Sequence, residues 1–135
     1  MNWVTQPTDV IVGPLALKAS GAEAVSTDNT AVEIGKGQYR IDFVVTAIDV
    51  ASTDEFYNLN LEVNTRAATT TWKILGSVCI GTDGATAQDA DDTTGTYSLI
   101  VNNPYDYQIR VASKIAGTSP SITYAVNAYP LARKA

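Results

Sequence analysis

The sequence predicts an all-β chain folded as a two-sheet antiparallel β-sandwich of jelly-roll type, with an immunoglobulin-like sandwich lacking its disulfide as the alternative. Three observations predict it. Thr, Val and Ile supply 40 of the 135 residues, and their stiff β-branched side chains suit a pleated sheet better than a helix. Apolar and polar residues alternate with a period of two in segment after segment, and no apolar period of 3.6 persists for the length of a helix. Polar turn clusters separate these segments, which leaves no room for crossover helices.

Residues 1–14 read as an N-terminal arm that ends at Gly13 and Pro14, residues 15–130 as the sandwich, and residues 131–135 as a C-terminal tail. Residues 15–19 and 31–34 predict short strands, divided by the polar run 26–29 and closed by Gly35, Lys36 and Gly37. In the next segment Tyr39, Ile41, Phe43, Val45 and Ala47 share one face, with Arg40, Asp42 and Thr46 opposite. Tyr57, Leu59, Leu61 and Val63 repeat the pattern against outward Asn58, Asn60, Glu62 and Asn64, and a hairpin through Ser52, Thr53 and Asp54 is the simplest link. Residues 72–80 carry two competing apolar phases, Trp72, Ile74 and Val78 against Leu75 and Cys79, and Gly76 between them marks a bulge. Tyr97, Leu99 and Val101 form a strand before the turn at Asn102, Asn103 and Pro104. Two final strands, Tyr107 to Ile115 and Ile122 to Ala128, flank the turn at residues 117–120 and are expected to pair as antiparallel neighbours. The total is seven or eight strands.

Composition excludes much chemistry. The chain has no histidine, so it lacks an imidazole base for a nucleophile and an imidazole ligand for zinc, copper or haem. One cysteine, Cys79, permits no intramolecular disulfide and no multi-cysteine cluster; lying between Val78 and Ile80 with no basic neighbour, it reads as a buried, inert thiol. A net charge of −5 opposes binding to nucleic acid. The N-terminus has no signal-peptide pattern and no run of about 20 apolar residues spans a bilayer, so no membrane partner and a soluble, cytoplasm-made product are expected.

Asp83, Asp89, Asp91 and Asp92 gather in the loop between Gly81 and Gly95. They offer hard oxygen ligands without the spacing of a calcium loop, so a solvated acidic loop, with no metal or other cofactor, is the expectation. Asp49 with Glu55, or Glu62 across the sheet, would suit glycoside cleavage only at a separation of roughly 5 to 10 Å, and nothing in the sequence selects one pair. Tyr39, Tyr57, Tyr97, Tyr107 and Tyr124 share phase with the aliphatic stripes and belong to the core. Trp3, Tyr105 and Tyr129 are left over and carry the alternative of a carbohydrate-binding module or adhesin.

Residues that break the pattern point toward a protein partner. Val44, Ile48 and Ile100 fall on nominally solvated faces, and Trp3, Val10, Ile11 and Val12 concentrate apolar surface in the arm. Beyond Asp106 there is no acid, while Arg110, Lys114, Arg133 and Lys134 follow. The resulting dipole would orient the molecule on another protein. Trp3, Val10, Ile11, Val12, Arg133 and Lys134 are therefore the candidate interface residues.

Three stretches, LKASGAE at 17–23, TAVEIGKGQYRIDFVVTAIDVASTDEFYNLNLEV at 30–63 and TTGTYSLIVNNPYDYQIRVASKIAGTSPSITYAVNAY at 93–129, resemble the capsid cement or decoration proteins of tailed phages, a family with a jelly-roll fold. The likeness is one of pattern: a strand ending in TAID, a short turn, a second long strand, and a closing hairpin over GTSPSI. The chain departs from the family near Asn64 to Thr71, where relatives carry a longer polar link. The resemblance implies a non-enzymatic virion protein on the outside of the head. It would self-associate as a dimer or trimer and bridge neighbouring copies of the major capsid protein.

Overall fold

The computed structural model describes residues 14–50, 54–81 and 94–131. Among these described residues nine strands form: β1 (Leu15–Glu23), β2 (Thr27–Asp28), β3 (Val32–Glu33), β4 (Gly37–Ile48), β5 (Phe56–Thr65), β6 (Ala68–Gly81), β7 (Gly95–Asn103), β8 (Gln108–Ala116) and β9 (Ile122–Pro130). One sheet has the order β1-β9-β4-β7; the other has β2-β8-β5-β6, with β3 also on β8. Every pairing is antiparallel. Counting β2 and β3 as one interrupted strand gives eight, ordered 1-8-3-6 and 2-7-4-5. That is the jelly roll rather than the immunoglobulin arrangement.

The alternating segments do build the core. Ile41, Phe43, Tyr57, Leu59, Leu61, Val111, Ile122, Tyr124, Val126 and Ala128 are fully buried between the sheets. Two expected strand pairings are corrected by the topology. β4 and β5 lie in different sheets, as do β8 and β9, so the links after Ile48 and Ala116 cross the sandwich instead of closing hairpins. Period-two alternation shows which face of a strand is buried, and it is silent about which strand lies alongside. Among the described residues, only β5 and β6 are consecutive strands that pair.

Bulges account for the side chains whose orientation differs from expectation. In β4, Val45 faces Tyr124 and Ala47 faces Thr123, so Thr46 is an extra residue. Parity reverses there: Ile48 turns inward onto the core and Ala47 is exposed, while Val44 stays on the outer face, half-buried. In β6, Gly76 faces Leu61 and Ile74 faces Glu62, which makes Leu75 the extra residue at the expected bulge. Both apolar phases are thus used. Val78 and Ile80 point inward, Leu75 packs against the core, and Ile74 is exposed. Cys79, expected to be buried, is exposed beside Asn58, whose Oδ1 accepts from its Sγ at 3.4 Å.

Two asparagines expected to face solvent are buried. Asn60 Oδ1 accepts from Ser77 Oγ at 2.6 Å. Asn64 fills the irregular end of the β5–β6 hairpin: its Nδ2 donates to Thr69 O at 3.0 Å and its Oδ1 accepts from the Gln108 amide at 2.9 Å. Polar side chains of this kind can be buried because neighbouring groups satisfy them.

At one end of the sandwich the crossing links lock together. Tyr57 sends its hydroxyl to Asp49 O at 2.5 Å and accepts from the Ser121 amide at 2.9 Å. Gly81 and Gly117, at φ 99° and 124°, bring their backbones against Glu55, where a Cβ would stand 2.5 Å and 2.7 Å from Glu55 backbone atoms. Glycine is required by conformation and by space at both positions.

Candidate functional site

The strongest concentration of charge in the interior comes from β1. Two bulges, at Ala16/Lys18 and Lys18/Gly21, place Lys18 opposite Val126 and so turn it inward. Glu23 follows on the same side, opposite Ile122. Glu23 Oε1 accepts from Ser113 Oγ at 2.8 Å and Tyr124 Oη at 2.9 Å. Its Oε2 accepts from Asn29 Nδ2 at 3.0 Å and lies 3.9 Å from Lys18 Nζ. The Lys18 and Glu23 side chains are each only 7% exposed. Burial lowers the Lys18 pKa, an effect the Glu23 carboxylate partly offsets. Burial, with the charge of Glu23 next in weight, raises the Tyr124 hydroxyl well above its ordinary value.

A groove of about 570 Å³ runs above this cluster between β1 and the β2–β3 segment. Its reactive-looking groups are already committed. Lys18 Nζ donates to Tyr124 O at 2.8 Å and to Ala19 O and Gly21 O at 3.2 Å, and it sits 4.1 Å from the centre of the Tyr124 ring. Three donors on one carboxylate and three carbonyls around one ammonium form a pin that holds β1 and the chain near Asn29 onto the body of the sandwich.

On the outer faces, the arginines are stacked and paired. Arg110 lies 4.2 Å from the Trp72 ring centre and bonds Glu62 at 2.8 Å, with Asp28 at 3.8 Å. Arg66 covers Tyr107 at 4.5 Å. Arg40 covers Tyr129 at 4.2 Å and bonds Asp42 through Nε at 3.1 Å. Tyr105 packs against the core. Two of the three aromatic residues considered for sugar stacking are therefore occupied within the fold.

Of the carboxylates considered for catalysis, Asp49 and Glu55 both lie close enough to the Tyr57 hydroxyl for their charges to raise its pKa, whereas Glu62 stands apart from Glu55. Glu55 is wholly buried and accepts from the Ser119 amide at 3.3 Å, while Glu62 is held by Arg110 on the outer face. Seven residue steps of extended chain separate Glu55 from Glu62, about 24 Å at the rise of a strand, against the 5 to 10 Å that glycoside cleavage uses. Among the described residues, no group of three or more metal-ligating side chains assembles. The loop acids Asp83, Asp89, Asp91 and Asp92 lie outside the described residues, as do the interface candidates Trp3, Val10, Ile11, Val12, Arg133 and Lys134.

Exposed apolar surface collects instead at the sheet margins. Ile74 on β6 is 60% exposed, Ile100 on β7 is 61% exposed, and Val25, between β1 and β2, is 69% exposed. β6 and β7 are edge strands on the same flank, where Leu99 of β7 reaches to 3.2 Å from the Cβ position of Gly76 on β6. The outward turn of Ile100 was legible from alternation. Alternation alone does not mark Ile74 as exposed, although the phase conflict at Gly76 carries the signal. Val25 left no periodic signal, because it lies in a link. No protein-family model matches the chain, and no curated protein matches it.

Proposed function

We propose that this chain is a non-enzymatic virion protein that binds the outside of a tailed-phage capsid and cements neighbouring major capsid subunits. The observation that carries the reading is the placement of large exposed apolar side chains, Ile74 and Ile100, on strands that are sheet edges among the described residues, in a body whose interior charges are pinned. Isolated edges of this kind favour contact with another polypeptide. The jelly-roll topology agrees with the fold that the sequence resemblance implies, and the acidic stretch before Arg110 with the basic residues after it would orient the molecule on a shell. The proposed contacts include the arm residues Trp3, Val10, Ile11 and Val12 and the tail residues Arg133 and Lys134.

Mass spectrometry of purified particles, followed by electron microscopy to locate the added density, tests this. The protein is expected on the outer surface at a fixed ratio to the major capsid protein. Its absence from particles, or a position inside the shell, removes the reading.

A further inference from the structure

We infer that β7 is a self-pairing edge, through which two copies join across a two-fold axis into one continuous eight-stranded sheet. The inference rests on the reading of the sheet margins as protein contacts and names the partner of one of them.

Among the described residues the sandwich has several margins with no strand alongside, and most of them carry a feature that discourages strand addition. β2 and β3 are two residues long. β1 is broken by two bulges and carries Lys18 and Glu23. β6 has the bulge at Leu75 and the charge of Lys73. Short strands, charges and bulges are the ordinary means of blunting an edge. β7 has none of them. Its nine residues, GTYSLIVNN, contain no charged residue and no proline, and they pair with β4 from Gly37↔Asn103 to Val45↔Gly95 without a slip. A regular strand with no charge of its own therefore ends the sheet in open backbone groups among the described residues.

The side chains favour a second copy as occupant. Thr96, Ser98, Ile100 and Asn102 alternate on the outer face of β7, all neutral, so strand-to-strand pairing of two copies sets no like charges directly opposite each other. Arg40 is opposite Ile100 in the ladder, yet its guanidinium lies over Tyr129 on the far side, bonded to Asp42. Ile100 is thus left uncovered by its own neighbour and 61% exposed. Antiparallel pairing of β7 with itself about Ile100 sets the two isoleucines directly opposite each other and aligns Ser98 with Asn102 of the second copy. Such an isologous contact closes as a dimer.

The register makes the test specific. Directly opposite residues have Cβ atoms about 5 Å apart, whereas the two copies of Ser98 would stand about 14 Å apart along the strands. In a Cys79→Ser background, Ile100→Cys and Ser98→Cys chains are treated with a thiol cross-linker that spans the first distance and not the second. The Ile100→Cys chain is expected to give covalent dimer in high yield and the Ser98→Cys chain little. In sedimentation, the unmodified protein is expected at twice 14.3 kDa. Ile100→Lys, a change at an exposed site, is expected to weaken the dimer at least tenfold while circular dichroism shows the separated chains still folded.

A monomer at high micromolar concentration, a trimer, equal cross-linking at both positions, or an Ile100→Lys chain that dimerises normally would each overturn the inference. All measurements are made without particles. A dimer that never joins a shell would remove the capsid reading and leave this one standing.

Discussion

Glu23→Gln is the substitution whose cost the structure specifies most closely. Glutamine keeps the size of the side chain and one carbonyl oxygen, which can remain on Ser113 Oγ and Tyr124 Oη. Its new NH₂ group must then face Asn29 Nδ2, a donor at 3.0 Å from the present Oε2, and Lys18 Nζ at 3.9 Å. Flipping the amide moves the conflict to the two hydroxyls. One charge-assisted hydrogen bond is lost, worth about 1.5 to 3 kcal/mol, and Lys18 loses its compensating charge in a site where both side chains are 7% exposed. Breaking buried pairs costs about 3 to 5 kcal/mol, so a loss of about 3 kcal/mol is expected. For a chain of this size that lowers the melting temperature by roughly 10 °C.

Lys18→Met should cost less, about 1 to 2 kcal/mol, because Glu23 keeps all three hydrogen-bond donors. The double variant should cost less than the sum of the two. Urea and thermal unfolding followed by circular dichroism measure all three. The account is wrong if Glu23→Gln lies within 1 kcal/mol of the parent, or if Lys18→Met is the more damaging change.

Gly81→Ala and Gly117→Ala, which combine positive φ with Cβ positions 2.5 and 2.7 Å from Glu55 backbone atoms, are each expected to lose about 3 kcal/mol, whereas Gly95→Ala, at φ 130° with nothing within 4 Å, should lose only the conformational strain of about 1 to 2 kcal/mol; urea melts separate these outcomes. Burial raises the hydroxyl pKa values of Tyr39, Tyr57 and Tyr124 above 10.0, so the stability they contribute is complete below pH 10 and is lost as pH rises toward their folded values. Lys18, whose pKa falls below 10.5 through burial, acts in the opposite sense just under that pH. With three phenols against one ammonium, a stability profile should fall above pH 10, and a flat profile would contradict the assigned burial. Cys79 should react with a maleimide in the native state as fast as an exposed thiol; labelling only after unfolding would restore the buried placement that the sequence implied.

How far sequence reasoning reached depends on which interaction decided each feature. The inward faces of residues 39–45 and 57–63 were legible because burial on one side of a strand imposes alternation, and that signal is local. It failed at Ile48 and Ala47, where an extra residue in β4 reverses parity and nothing in the composition of Thr46 marks the place. It recognised the bulge at Gly76 and still misplaced Cys79, since knowing that parity shifts does not say which half of the strand keeps the core phase.

The interior cluster was invisible for a further reason. Lys18 and Glu23 look like surface residues until two bulges turn the lysine inward and the carboxylate meets Asn29, six residues on, together with Ser113 and Tyr124 from distant parts of the chain. The sequence alone determined the fold class, the buried stripes, the lack of imidazole and multi-cysteine chemistry, and the outward turn of Ile100. Only the tertiary structure decided which strands are neighbours, which charges are buried and which edge stays regular and uncharged, because pairing and partner supply are properties of segments far apart in the chain, and a period of two says nothing about who stands alongside.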